Sequence, residues 1–122
     1  MEMNVHNITS NQFTNYSNTS VTVNHKEYSS NIVVTNDGVF DFAMANIKEI
    51  TQTHLAEVLA FKPDLIIFGT GSKVVFPDIE IIKLLQKNNI GYEVMSIQAL
   101  CRTYNFLISE NRKIACILFF NT

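Results

Sequence analysis

Pro63-Asp64-Leu65-Ile66-Ile67-Phe68-Gly69-Thr70-Gly71-Ser72-Lys73-Val74-Val75-Phe76-Pro77 contains an apolar run that stops abruptly at Gly-Thr-Gly. Leu65 to Phe68 show no polar alternation, the pattern of a strand covered on both faces. The stretch therefore reads as a buried strand running into a glycine turn. Downstream, Pro77-Asp78 opens a helix with a broad apolar side made by Ile79, Ile81, Ile82, Leu84 and Leu85. Glu80, Lys83 and Lys87 share its solvated side. Asn88-Asn89-Ile90-Gly91 closes the helix, with Gly91 expected in the left-handed turn, and Tyr92-Glu93-Val94-Met95 forms the next strand. Strand, helix, strand in this order makes a βαβ unit, so the strands at 64–69 and 92–95 should run parallel with a right-handed crossover.

Upstream of this unit the period is helical from Thr51-Gln52-Thr53, whose hydroxyl caps a helix carrying Leu55, Val58 and Leu59. Pro63 ends that helix near Lys62. Farther back, Asn31-Ile32-Val33-Val34-Thr35 and Val39-Phe40-Asp41-Phe42 flank Asn36-Asp37-Gly38. The Asp-Gly pair suits the positive φ angles of a tight hairpin. Two short strands fit Ser20 to Val23 and Glu27-Tyr28, with a turn at Asn24-His25. Residues 1–12 read as a flexible arm and residues 13–122 as one α/β domain. Beyond the central unit, Ile97, Leu100, Cys101, Tyr104, Leu107 and Ile108 form the apolar stripe of a last helix from about Ile97 to Ser109. Ile114 to Phe120 is apolar on both faces and must be an interior strand, whose direction the pattern leaves open.

Composition bounds the function. A length of 122 residues with 47% hydrophobic content is enough for one buried core. No apolar run approaches the roughly 20 residues that span a bilayer, so no membrane insertion is expected. A net charge of −2 without a basic stripe argues against nucleic-acid binding. The start of the chain lacks the pattern of a secretion signal or an Arg-rich presequence, and the expected location is cytoplasmic. Cys101 and Cys116 form no CxxC pair and read as buried free thiols. His6, His25 and His54 are too scattered for a metal site, and no cofactor is expected.

Ligands of open α/β sheets gather beyond the carboxyl ends of parallel strands. Here those ends are Gly69-Thr70-Gly71-Ser72 and Ser96-Ile97-Gln98, on one edge of the sheet. The helix after Ser96 begins with free N–H groups suited to an anion, with Lys73 and Arg102 available for charge and Thr70, Ser72, Ser96 and Asn105 for hydrogen bonds. Against this, glycines after a strand serve sharp turns, and Ser96 serves as an N-cap. The motif lacks the third glycine of GxGxxG, and Val74-Val75-Phe76 stands where a dinucleotide helix would begin, which excludes a nucleotide fingerprint. On the last helix Arg102, Thr103, Asn105 and Phe106 fall largely away from the stripe, and an arginine and a phenylalanine one turn apart are residues of the kind that anchor interfaces. No catalytic triad and no pair of carboxylates suggests a reaction.

The strand ending in Gly69-Thr70-Gly71, then Gly91-Tyr92-Glu93-Val94-Met95, then Ala99-Leu100-Cys101-Arg102-Thr103-Tyr104-Asn105 and Glu110-Asn111-Arg112 carry a resemblance. Nearly everything after residue 20 resembles the small α/β domain-of-unknown-function family that includes mitochondrial complex I assembly factor 3 and the adipogenesis-associated domain-containing protein. The resemblance implies three layers: a central mixed five-stranded sheet, helices on both sides, an extra N-terminal β-hairpin, and one antiparallel strand, expected to be the last. Where the family often has Met-Asp-Thr-Gly, this chain has Met95-Ser96-Ile97-Gln98. No catalytic residue is implied. The leading expectation is a non-catalytic binding or assembly-factor-like module. It would engage a protein partner, or a second copy, through Gly69, Thr70, Gly71, Ser72, Lys73, Ser96, Arg102, Thr103, Asn105 and Phe106. The alternative is a carrier or enzyme for a small anionic ligand at the same edge.

Overall fold

A computed structural model describes residues 11–43 and 46–120. Its strands are β1 (Phe13–Tyr16), β2 (Val21–Val23), β3 (Lys26–Tyr28), β4 (Ile32–Thr35), β5 (Gly38–Asp41), β6 (Leu65–Thr70), β7 (Gly91–Met95) and β8 (Ile114–Phe119). Its α-helices are α1 (Ala56–Ala60), α2 (Ile79–Lys87) and α3 (Ile97–Ile108), with a 3₁₀ turn at Ile47–Glu49. The main sheet has five strands in the order β5-β4-β8-β6-β7, and β1-β2-β3 form a second, three-stranded sheet.

The expected βαβ unit is present. β6 and β7 are parallel, with Leu65 beside Gly91 and Gly69 beside Met95. β6 and β8 are buried along their whole length, as uninterrupted apolar runs require. Alternate residues of these strands feed two cores. Leu65, Ile67, Ile114, Cys116 and Leu118 pack under α3 and the small sheet. Ile66, Phe68, Ala115, Ile117 and Phe119 pack with Leu55, Val58, Ile81 and Leu85 on the opposite face.

The final strand is not the antiparallel one. β8 lies parallel to β6, pairing Leu65 with Ile114, and antiparallel to β4, pairing Leu118 with Ile32. The strand reversed against its neighbours is β4. The reason is α3: a 12-residue crossover helix carries the chain back past β6 and delivers it to the end of the sheet from which β7 started.

Local geometry also departs from expectation at several points. The N-terminal hairpin gains a third strand, because Phe13–Tyr16 pairs with β2. The β4–β5 hairpin forms with Thr35 opposite Gly38, but neither Asn36, Asp37 nor Gly38 has a positive φ. Instead the Thr35 hydroxyl accepts the Asp37 N–H at 3.1 Å and fixes the turn from inside. At the end of α2 the left-handed residue is Asn89, with φ 57°, and Gly91 already belongs to β7. The Ile90 N–H then reaches Leu85 O at 2.9 Å, closing a Schellman motif. The first helix is only Ala56–Ala60, preceded by turns in which Thr51 bonds His54 rather than capping a helix. It does end before Pro63, with Lys62 at φ 56°. Asn24 and His25, at φ 53° and 67°, supply the left-handed turn between β2 and β3. Of the arm assigned to residues 1–12, residues 1–10 lie outside the described ones. Asn11 is buried and its side-chain amide donates to Thr35 O at 2.7 Å.

Candidate functional site

The loops after β6 and β7 leave the same edge and diverge, one toward α2 on one face and the other toward α3 on the opposite face. This is the switch point at which open α/β sheets hold ligands. Here the chain bridges the two loops with its own hydrogen bonds. The Ile97 N–H donates to Gly71 O at 3.1 Å, and the Gly71 N–H donates to Phe119 O at 3.2 Å, tying both loops to β8. At the start of α3, the Gln98 N–H is taken by Asn18 Oδ1 at 2.9 Å and the Ala99 N–H by Ser96 Oγ at 3.2 Å. The N–H groups suited to an anion thus already have protein acceptors.

Gly69 and Thr70 are equally occupied. A Cβ on Gly69 would stand 2.8 Å from Leu100 Cδ1 and 3.3 Å from Ile97 Cγ1, so the glycine exists to let α3 close onto β6. Thr70 is fully buried; its hydroxyl donates to Lys73 O and accepts the Val75 N–H at 3.1 Å, pinning the loop. Ser72 and Lys73 are exposed beyond it.

Along α3 the candidates separate by role. Asn105 clasps β1, accepting the Phe13 N–H at 2.9 Å and donating to Phe13 O at 2.7 Å. We expect Asn105→Ala to lower stability by about 1–2 kcal/mol, since it strips two partners from the Phe13 backbone, and to loosen amide protection across β1. Chemical denaturation and hydrogen exchange will read both. Thr103 is half-buried. Arg102 is exposed, and Phe106, one turn on, is 65% exposed. Cys101 and Cys116 are buried free thiols, and burial pushes the Cys101 pKa up to about 12 and that of Cys116 well above its usual value.

Two further apolar residues among the described ones, Val74 (53%) and Phe76 (49%), are exposed and were not expected at a surface. Ile79, expected on the apolar side of α2, is instead solvent-exposed because it lies well around the helix from the buried Ile81 and Leu85. The signal for Val74 and Phe76 was the apolar triplet Val74-Val75-Phe76 in a stretch with no helical period. Away from this edge, a groove of about 590 Å³ between residues 48–52 and α2 carries Lys48, Glu49, Glu80 and Lys83, a mixture of both charges. No helix of the described residues is long and apolar enough to cross a membrane.

A family model described as "Protein of unknown function (DUF498/DUF598)" matches residues 13–119. The chain belongs to this family. Among similar proteins, a Francisella tularensis protein named "13 kDa major membrane protein" is 33% identical over 98 residues, spanning 79% of this chain and 80% of the relative. A Drosophila melanogaster protein named "NADH dehydrogenase [ubiquinone] 1 alpha subcomplex assembly factor 3" is 30% identical over 84 residues, which are 66% of this chain but 43% of the fly protein. The resemblance to the assembly-factor family is therefore real. Among solved structures, an NMR structure of a Xanthomonas campestris protein superposes with a TM-score of 0.85 at 24% identity, covering 96% of this chain and 89% of that one. The three-layer mixed α/β fold is that of its structural neighbours.

Proposed function

We propose that this chain is a non-catalytic protein-docking module of assembly-factor type. Its contact surface is the outer face of α3 around Arg102 and Phe106, together with the exposed part of the loop that Gly69, Thr70 and Gly71 hold in place, beginning at Ser72 and Lys73. The observation that carries the reading is the exposure of Phe106, 65% open to solvent one turn from an exposed arginine. Nearby polar groups with an internal role, Asn105, Ser96 and Thr70, are committed to backbone partners. Exposed aromatic and arginine side chains are the residue types that dominate binding energy at interfaces. The fly relative's name, an assembly factor for an NADH dehydrogenase [ubiquinone] subcomplex, supports a client that is itself a multisubunit enzyme.

The test is the double variant Arg102→Ala with Phe106→Ala. Both side chains are solvent-exposed, so stability should stay within about 0.5 kcal/mol of the native chain. Recovery of specific partners from native extract should fall at least severalfold. A partner set recovered unchanged, from a variant with unchanged melting temperature, would overturn the assignment of this face.

A further inference from the structure

β7 ends the main sheet, and its outer edge has no neighbouring strand among the described residues. The Gly91 N–H donates inward to Asp64 O at 3.0 Å, and the parallel register then directs Gly91, Glu93 and Met95 toward β6. The backbone N–H and C=O groups of Tyr92 and Val94 therefore point away from the sheet. The other sheet ends are shorter or closed. β3 has three residues and β5 four, while the Phe13 backbone of β1 is clasped by Asn105.

The two sides of this edge differ chemically. On the α2 side, Tyr92 and Val94 are half-buried apolar residues. α2 packs over β7, and its Glu80, Leu84 and Lys87 flank faces the groove along residues 48–52. Ile79, 56% exposed, and the half-buried Ile82 lie on the opposite flank, above the free edge. On the other side α3 covers β6 and β8, leaving Glu93 exposed beside the edge. A second copy of the chain fits badly. Full antiparallel pairing of β7 with itself sets Glu93 directly opposite Glu93, and the shift that separates the two carboxylates cuts the overlap from five residues to three.

We propose that β7 is a docking edge for an extended segment of another protein, which adds a sixth strand to the sheet. The segment places apolar side chains against Ile79, Ile82, Tyr92 and Val94 and a lysine or arginine opposite Glu93. The inference extends the docking reading above but uses different residues, so the two fail separately.

The experiment uses two soluble synthetic peptides of alternating isoleucine and threonine, identical except for a central lysine or glutamate on the threonine face. Amide exchange and chemical shifts of the full chain are followed by NMR. The lysine peptide should slow exchange at Tyr92 and Val94 and shift Ile79 and Ile82, binding roughly fivefold more tightly than the glutamate peptide. Glu93→Lys should invert that preference. Val94→Pro should abolish binding, because the lost N–H faces outward and the β6 ladder does not use it. Binding should survive in the Arg102→Ala/Phe106→Ala variant. The proposal is overturned if neither peptide protects Tyr92 or Val94 at millimolar concentration, or if Glu93→Lys leaves the preference unchanged. It is also overturned if the chain alone protects both amides at concentrations where light scattering reports a dimer, since a second copy would then hold the edge.

Discussion

Gly69→Val is expected to destabilise the fold by about 3 kcal/mol, the upper part of the range for forcing extra methyl groups into a packed core. A single Cβ would already meet Leu100 Cδ1 at 2.8 Å, and the Ile97 backbone Cα stands 3.5 Å away. Leu100 and Ile97 are fully buried, so neither has solvent to retreat into. Valine adds two methyl groups beyond that Cβ, and relief requires α3 to lift from β6. Lifting α3 also stretches the Ile97 N–H to Gly71 O bond of 3.1 Å, which joins the two loops of the carboxyl edge. Denaturant titration should show a lowered midpoint, and hydrogen exchange should rise first at Ile97 and Gly71. Gly69→Ala provides the graded control: Leu100 Cδ1 is the end of a flexible side chain, so alanine should cost about 1–2 kcal/mol. A stability for Gly69→Val equal to that of the native chain would mean that the glycine serves something other than this close approach.

Legibility of the fold followed the apolar periodicity. Leu65 to Phe68 and Ile114 to Phe119 were readable because strands buried on both faces must be apolar at every position. The stripe Ile97, Leu100, Cys101, Tyr104 was readable for the complementary reason, one face of a helix against a sheet. β1 was not readable. Phe-Thr-Asn-Tyr holds its place through Asn105, 92 residues away, and no local pattern announces such a clasp. The direction of β8 was likewise hidden, because an all-apolar strand looks the same read either way, and the α3 crossover decides it.

The candidate site was legible as a place more than as a chemistry. Sequence order alone brought the Gly69–Gly71 and Ser96 segments to one edge, and the bond from Ile97 to Gly71 places them together. The partners of their backbone groups were not legible. Asn18 reaches Gln98 across 80 residues and Phe119 O receives the Gly71 N–H, so the groups that seemed free for a ligand are satisfied from remote parts of the chain. Asparagine does much of this work, at Asn11, Asn18, Asn31, Asn36 and Asn105. Its side chain can donate and accept at once, which suits a connector between strands that composition alone files under loops.

Tyr104 shows how far the recognisable motif Arg102-Thr103-Tyr104-Asn105 is structural, and its substitution carries the largest effect. The side chain is fully buried, and its ring meets Phe13 edge-on, with centroids 5.5 Å apart at 76°. It thereby joins α3 to the small sheet above β8. Tyr104→Ala should cost about 3–5 kcal/mol, the range for deleting a buried aromatic ring. That corresponds to a fall in melting temperature on the order of 10–20 °C for a domain of this size. The hydroxyl contributes nothing comparable. It is buried without a hydrogen-bond partner among the described residues, and burial, with a smaller push from Cys116, raises its pKa and keeps it neutral. A buried hydroxyl without a partner is unfavourable, so Tyr104→Phe should leave stability unchanged or raise it by up to about 1 kcal/mol. The pair of variants separates ring from hydroxyl. If phenylalanine destabilises as much as alanine, the hydroxyl has a partner in solution and the motif's tyrosine is polar in purpose; if only alanine does, Tyr104 is packing, and Arg102 remains the residue of the motif free to meet a partner.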